Sequence, residues 1–134
     1  MWYNICMGEN KMFKDKVVLI TASTRGIGLA CAKACAKEGA TVYMAARNLD
    51  LAKEEADKLI SQGYNVKYVY NDASKPESYK TMTEDVIKDV GRIDVLINNF
   101  GTSNPGKDLD FSNTDTDVFI DNVNINLRSV FAAI

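Results

Sequence analysis

The period of the apolar positions changes along the chain, and each change marks an element. Lys16 to Thr21 is a short apolar run without alternation, the pattern of a strand covered on both faces. From Ile27 onward, Ile27, Ala30, Cys31, Ala34 and Cys35 recur at helical spacing, and Gly39 stands where a C-terminal cap belongs. Thr41 to Ala46 is again strand-like. Asp50 to Gln62 places Ala52, Ala56, Leu59 and Ile60 on one face of a second helix, which Gly63 closes. Val66 to Tyr70 reads as a third strand. Pro76 suits the first turn of a helix that Ser74 is placed to cap, with Tyr79, Met82, Val86 and Val90 as its apolar stripe and Gly91 at its end. Ile93 to Ile97 is a fourth strand. A polar, irregular stretch follows, and then a last apolar-periodic segment from about Asp115, with Phe119, Val123, Leu127, Val130 and Phe131.

Four strands alternating with three helices, joined by short connections, predict a parallel sheet with right-handed crossovers and helices on both faces. The fold class is α/β, doubly wound, and in such sheets the first four strands take the order 3-2-1-4. Residues 1–11 read as an N-terminal extension and residues 12–134 as part of one domain.

Composition narrows the function classes. With 134 residues, 46% hydrophobic and 25% charged, the chain suits one globular domain, and a net charge of −2 gives no general pull toward nucleic acid or anionic lipid. Partners are expected to be small molecules or protein. No apolar run approaches eighteen residues and the start has no basic region followed by an apolar one, so no membrane association is expected and the location is read as cytoplasmic. There is no histidine, and Cys6, Cys31 and Cys35 have no zinc spacing, so no metal site is expected. Cys31 and Cys35 read as small buried hydrophobes without a redox role. The missing histidine also excludes a Ser-His-Asp or Cys-His hydrolase built from these residues alone.

The chemistry concentrates in TASTRGIG, residues 21–28, between the first strand and the first helix. A helix N-terminus presents unpaired N–H groups and partial positive charge, so a diphosphate can sit there if the backbone comes close. Glycine removes the Cβ that would block the approach. Gly26 is read as opening the loop to a pyrophosphate and Gly28 as allowing tight helix packing, while Thr21 ends the strand.

TASTRGIG resembles the T-G-x-x-x-G-x-G loop of the short-chain dehydrogenase/reductase family, whose fold is of the Rossmann type. GRIDVLINNFG, residues 91–101, resembles that family's strand-four signature ending in N-N-A-G, and NVNINLRSVF is similar to its later helix motif. Ala22 stands where the family has its first glycine, a methyl that is tolerated if φ is negative there. Phe100 replaces the usual alanine. The resemblance covers residues 12–134 and implies cofactor contacts from Thr21, Ser23, Thr24, Arg25, Gly26, Ile27 and Gly28, and from Asn98, Phe100 and Gly101 beside the adenosine and ribose. Asp72 is read two ways, as an aspartate near the adenine or as a turn residue capping the next helix. Asp94 is read as structural.

In such proteins an acidic residue at the end of the second strand favours NAD, and an arginine nearby favours the 2′-phosphate of NADP. The stretch here is MAARN: Ala46 occupies the carboxylate's place and Arg47 follows, with Arg25 as a second basic residue. Two guanidiniums on one phosphate predict NADP(H). Each alone could be a solvated surface residue. Asp50 is the rival acidic candidate, explained by its place in a helix first turn.

The resemblance implies hydride transfer between a nicotinamide and a secondary alcohol or ketone, with tyrosine, lysine, serine and asparagine as the catalytic set. Asn126 matches that asparagine, a polar residue at a helix bend being the alternative. No tyrosine has a lysine four residues later. The chain is therefore expected to be truncated before the C-terminal half of the domain and inactive alone, because a general acid must reach the reacting oxygen. AARN, STRGIG and NNFGT are similar to bacterial hydroxysteroid dehydrogenases, which suggests a steroid-sized substrate. Self-association through the final helix or the open sheet edge is expected. A non-catalytic nucleotide-binding or assembly module and a folding-deficient fragment are the competing readings.

Overall fold

A computed structural model of the chain describes residues 11–103, 106–107, 110 and 112–134. The N-terminal extension lies almost wholly outside the described residues, and with it Cys6. The elements are β1 (Val17–Thr21), α1 (Gly26–Lys37), β2 (Thr41–Ala46), α2 (Leu49–Ile60), β3 (Val66–Tyr70), α3 (Glu77–Val90), β4 (Val95–Ile97) and α4 (Thr116–Ala133). All three strand pairs are parallel, in the order β3-β2-β1-β4, as the sequence pattern predicts.

Every side chain of β1 is buried, which explains its lack of alternation. Val18 and Ile20 join Val42, Met44 and Val66 on the face covered by α1 and α2, which contribute Ala32, Cys35, Ala36, Ala56 and Leu59. Val17 and Leu19 join Tyr43, Ala45 and Val69 on the opposite face, beneath Tyr79, Met82 and Val86 of α3 and Ala133 of α4. Fully burying one such aliphatic side chain contributes ~1.5–3 kcal/mol, so the two layers together hold the sheet between its helices. Asp94 ties the outer strand in. Its Oδ2 accepts the Val17 N–H at 2.8 Å, its own N–H donates to Val17 O at 2.9 Å, and Arg92 Nε lies 3.0 Å from its carboxylate. The structural reading of Asp94 thus gains a specific task.

Several faces differ from the periodicity. In α1, Ile27 is 77% exposed, Ala30 and Ala34 are also exposed, and the buried face runs through Gly28, Ala32, Cys35 and Ala36. Small side chains let that helix lie close to the strands, and a helix of small residues gives little contrast from which to choose a face. In α2, Ile60 is exposed, while Ala52, Ala56 and Leu59 are buried. Ser74 does not cap α3: its hydroxyl donates to Asp72 Oδ1 at 2.7 Å, and Pro76 occupies the cap position. β4 begins at Val95 rather than Ile93. In α4 the predicted stripe Phe119, Val123, Leu127, Val130 and Phe131 faces outward, and Ser129 and Ala133 are buried instead. Among the described residues no helix is long and apolar enough to cross a membrane, and no three acidic, cysteine or histidine side chains gather as a metal site would require.

Candidate functional site

The strands finish in register. Thr21 stands opposite Ala45, Ala46 opposite Tyr70, and Ile20 opposite Ile97. The segments that follow each strand therefore gather along one carboxyl edge, which brings Arg25, Arg47, Asp72 and Asn98 to the same rim. β1 has β2 on one side and β4 on the other, so the crossovers reverse direction beside it. Open α/β sheets carry their ligand crevice at such a point.

At the mouth of α1 the backbone is bare. Arg25 takes the cap position in extended conformation, and among the described residues no side chain caps the first turn and no acidic residue lies in it. The ladder begins at Leu29, whose N–H donates to Arg25 O at 3.2 Å, leaving the earlier N–H groups outside the helical pattern. Gly26 has φ +54°, and a Cβ there would project into open space. Unneutralised N–H groups and an open approach are what an anion requires. Ser23 N–H donates to Ala45 O at 3.3 Å and moors the loop to β2, while the Ser23 hydroxyl is fully buried without a partner. Thr24 is half-buried, and Arg25 and Ile27 are exposed at the rim.

Gly28 serves a more specific purpose than close packing on the sheet. A Cβ at Gly28 would stand 2.5 Å from Asn99 Nδ2, 2.6 Å from Ala22 O and 2.9 Å from Ser23 Cα. Its bare Cα leaves the space into which the Asn99 amide reaches. That amide donates to Thr21 O at 3.2 Å and to Ala22 O at 3.0 Å. Thr21 completes the junction, its buried hydroxyl accepting the N–H groups of Asn99 at 3.0 Å and Phe100 at 3.1 Å. Thr21 ends β1 as predicted, and its hydroxyl is committed to the neighbouring chain segment. Ala22 departs from expectation: its φ is +50°, the left-handed region, so the methyl is not accommodated by a negative φ. The sequence pattern does not mark Asn99 as a site residue, because its role exists only once the ends of β1 and β4 lie side by side.

Asp72 braces its own turn. Its Oδ1 accepts Ser74 N–H at 3.0 Å as well as the Ser74 hydroxyl, and Ser78 Oγ donates to Asp72 O at 2.8 Å. The Ser74 hydroxyl is the main influence holding its carboxyl below the usual range; desolvation opposes this, and the charges of Arg47 and Lys75 assist. Asp72 thus serves as a turn residue, and the Arg47 charge reaches it. Asn98 and Gly101 are exposed at the rim, whereas Phe100 packs among the residues on the α3 and α4 side of the sheet. Asn126 lies on α4 and spends its amide on Thr102, accepting its N–H and donating to its carbonyl, each at 2.8 Å.

The chain is similar to known proteins. The 7alpha-hydroxysteroid dehydrogenase of Paraclostridium sordellii is 47% identical over 122 residues, 91% of this chain and 45% of that protein. Its namesake from Clostridium sardiniense is 45% identical over 121 residues, 90% of this chain and 46% of that protein. A gluconate 5-dehydrogenase from Burkholderia cenocepacia, solved in complex with NADP and tartrate, superposes with a TM-score of 0.81 at 26% identity, covering 93% of this chain and 48% of that one. The chain thus spans about half the length of these relatives. The profile described as short chain dehydrogenase matches residues 16–134, from the foot of β1 through the end of α4. With its glycine-lined helix mouth at the reversal point of a 3-2-1-4 sheet, the chain belongs to the short chain dehydrogenase family.

Proposed function

We propose that these residues form the NADP(H)-binding part of an oxidoreductase acting on a secondary alcohol or ketone of steroid size. The observation that carries the reading is the uncapped mouth of α1, where Gly26 opens onto free space and no acidic residue competes for the first-turn N–H groups. The diphosphate sits there, with Ser23, Thr24, Ile27 and Gly28 around it and Thr21 fixing the loop's base. Arg25 and Arg47 lie beyond the ends of the adjacent strands β1 and β2, at the same rim, and hold the 2′-phosphate, in a place where β2 ends in Ala46 rather than in a carboxylate. Asn98, Gly101 and the Phe100 backbone border the adenosine side, and Asp72 borders the adenine while bracing its own turn. The bound nicotinamide supplies the hydride acceptor or donor.

Titration calorimetry tests the cofactor reading. NADPH is expected to bind more tightly than NADH, and Arg47→Ala to weaken NADPH by about tenfold or more while leaving NADH nearly unchanged, since only the 2′-phosphate is lost as a partner. Equal affinities for the two cofactors would overturn the preference. No NADPH binding at all would overturn the site.

The substrate class follows the names of the relatives from Paraclostridium sordellii and Clostridium sardiniense. Within these 134 residues no tyrosine is followed by a lysine four positions later, so no turnover is expected from them alone. Asn126 is the one member of the family's catalytic set that can be placed here. The outward face of α4, with Leu127 at 63% and Phe131 at 83% exposure, supports self-association. A monomer at all concentrations in sedimentation velocity would count against it.

A further inference from the structure

We infer that Asn99 is a positioning residue that holds Ala22 in its left-handed conformation, and that this pair sets the form of the α1 mouth and hence cofactor affinity; the inference rests on the cofactor-binding reading above. The starting observation is Ala22 at φ +50°, a conformation that an L-residue adopts against repulsion between its Cβ and backbone and that glycine adopts freely. Something must hold it. The two peptide planes that flank the Ala22 Cα carry the carbonyls of Thr21 and Ala22, and both oxygens accept from the single nitrogen Asn99 Nδ2, at 3.2 and 3.0 Å. Fixing both planes fixes both dihedrals of Ala22. Asn99 is itself fixed, through its N–H to Thr21 Oγ1 at 3.0 Å and through the space left by the missing Cβ of Gly28.

The consequence lies in where the carbonyls go. With both oxygens drawn to Asn99 beneath the start of α1, neither turns toward the approach in front of Gly26, and the groups left for an anion are N–H donors. Were Ala22 to relax to negative φ, one peptide plane would rotate, and the loop that leads into the helix would move with it. With glycine at this position the left-handed turn carries no such strain, so the same asparagine would have less to hold. Here the clamp and the strain belong together.

A double-mutant cycle on this chain decides the matter, with NADPH dissociation constants taken well below each variant's thermal midpoint, and midpoints taken without ligand. Asn99→Ala should weaken NADPH about tenfold and lower the midpoint. Ala22→Gly alone should keep NADPH binding. In the Ala22→Gly background, Asn99→Ala should cost about threefold or less and lower the midpoint less than before. Equal losses in both backgrounds would overturn the inference, because Asn99 would then act independently of Ala22. Should Asn99→Ala unfold in both backgrounds, Asn99→Ser, which is smaller, uncharged and too short to reach both carbonyls, is read by the same two outcomes. Absence of NADPH binding by the parent chain would defeat the cofactor reading, whereas the ligand-free midpoints still report the coupling of Asn99 to Ala22.

Discussion

The side-chain amide of Asn126 pairs with the backbone of Thr102 in both directions. Oδ1 accepts the Thr102 N–H at 2.8 Å, and Nδ2 donates to the Thr102 carbonyl at 2.8 Å and to Asn122 O within α4 at 2.8 Å. One side chain thereby offers the loop after β4 the donor and acceptor that a neighbouring strand would offer. The loop that borders the cofactor rim hangs from α4 by this contact.

Replacing Asn126 by alanine should therefore loosen the loop and the helix together. Each such hydrogen bond contributes ~0.5–1.5 kcal/mol net, and because the pairing is partly exposed the total loss should be about 1–2 kcal/mol. Asn126→Asp should do no better, since a carboxylate cannot donate and would face two carbonyls. Urea unfolding gives the measurement, and unchanged midpoints in both variants would show that the pairing carries no stability.

Much of the architecture is legible in the chain because strand and helix periods differ and the connections from β1 through β4 are short. β2 and β3 fall on the predicted residues, and the strand order follows from topology. Faces are less legible than elements. The α4 stripe is real as a pattern, yet Phe119, Leu127 and Phe131 point outward while Ser129 and Ala133 meet the sheet side, because periodicity identifies a stripe without saying what it meets. In α1 the same ambiguity placed Ile27 inward, although it sits at the open mouth. The glycine loop is legible as a motif, but the left-handed turn at Ala22 and the amide of Asn99 that closes on it are not. Both depend on residues 77 positions apart meeting where two strands end.

Two glycines of the loop should respond differently to the same added methyl group. At Gly26 there is open space but φ is +54°, so Gly26→Ala should cost about 1–2 kcal/mol from backbone strain alone. At Gly28 the methyl would meet Asn99, Ala22 and Ser23 within 3 Å. Displacing them breaks the Asn99 hydrogen bonds besides overpacking the junction, so Gly28→Ala should cost more, roughly 2–4 kcal/mol. Denaturant unfolding of the two variants checks the order, and a Gly28→Ala protein as stable as Gly26→Ala would contradict the packing described.

Tyr79 is almost wholly buried on the α3 side; its hydroxyl lies beside Ser129 but forms no well-aligned hydrogen bond with it. The Ser129 hydroxyl donates its hydrogen to Asn126 O at 2.7 Å and so can meet Tyr79 only as an acceptor. A buried polar group left unpaired costs ~1–3 kcal/mol, and removing it while keeping the ring relieves that cost. Tyr79→Phe should thus be neutral or stabilising by up to about 1 kcal/mol, against the usual direction for a core change. A clear loss of thermal stability in Tyr79→Phe would mean that the hydroxyl has a partner after all.

Asp94 links the fold to pH. The Val17 N–H is the first cause holding its carboxyl below the usual carboxylate range; desolvation works the other way, and the charges of Arg92 and Lys16 add to the lowering. A folded-state pKa below the unfolded value, about 3.9, means that the unfolded chain binds more protons as pH falls between them. The stability Asp94 contributes is therefore fully present above about pH 4–5 and is lost as pH falls through the folded value. Asp72 and Asp89 are lowered as well, the first chiefly by Ser74 and the second by Lys67 and then Tyr43, so acid should weaken the fold through several groups. Asp94→Asn keeps an acceptor for Val17 but removes the charge. Unfolding free energies from about pH 7 down to about pH 3 should show this variant less stable at neutral pH and falling more gently in acid, so that the two curves converge. Parallel curves would show that the charge of Asp94, as distinct from its hydrogen bond to β1, adds nothing to the fold.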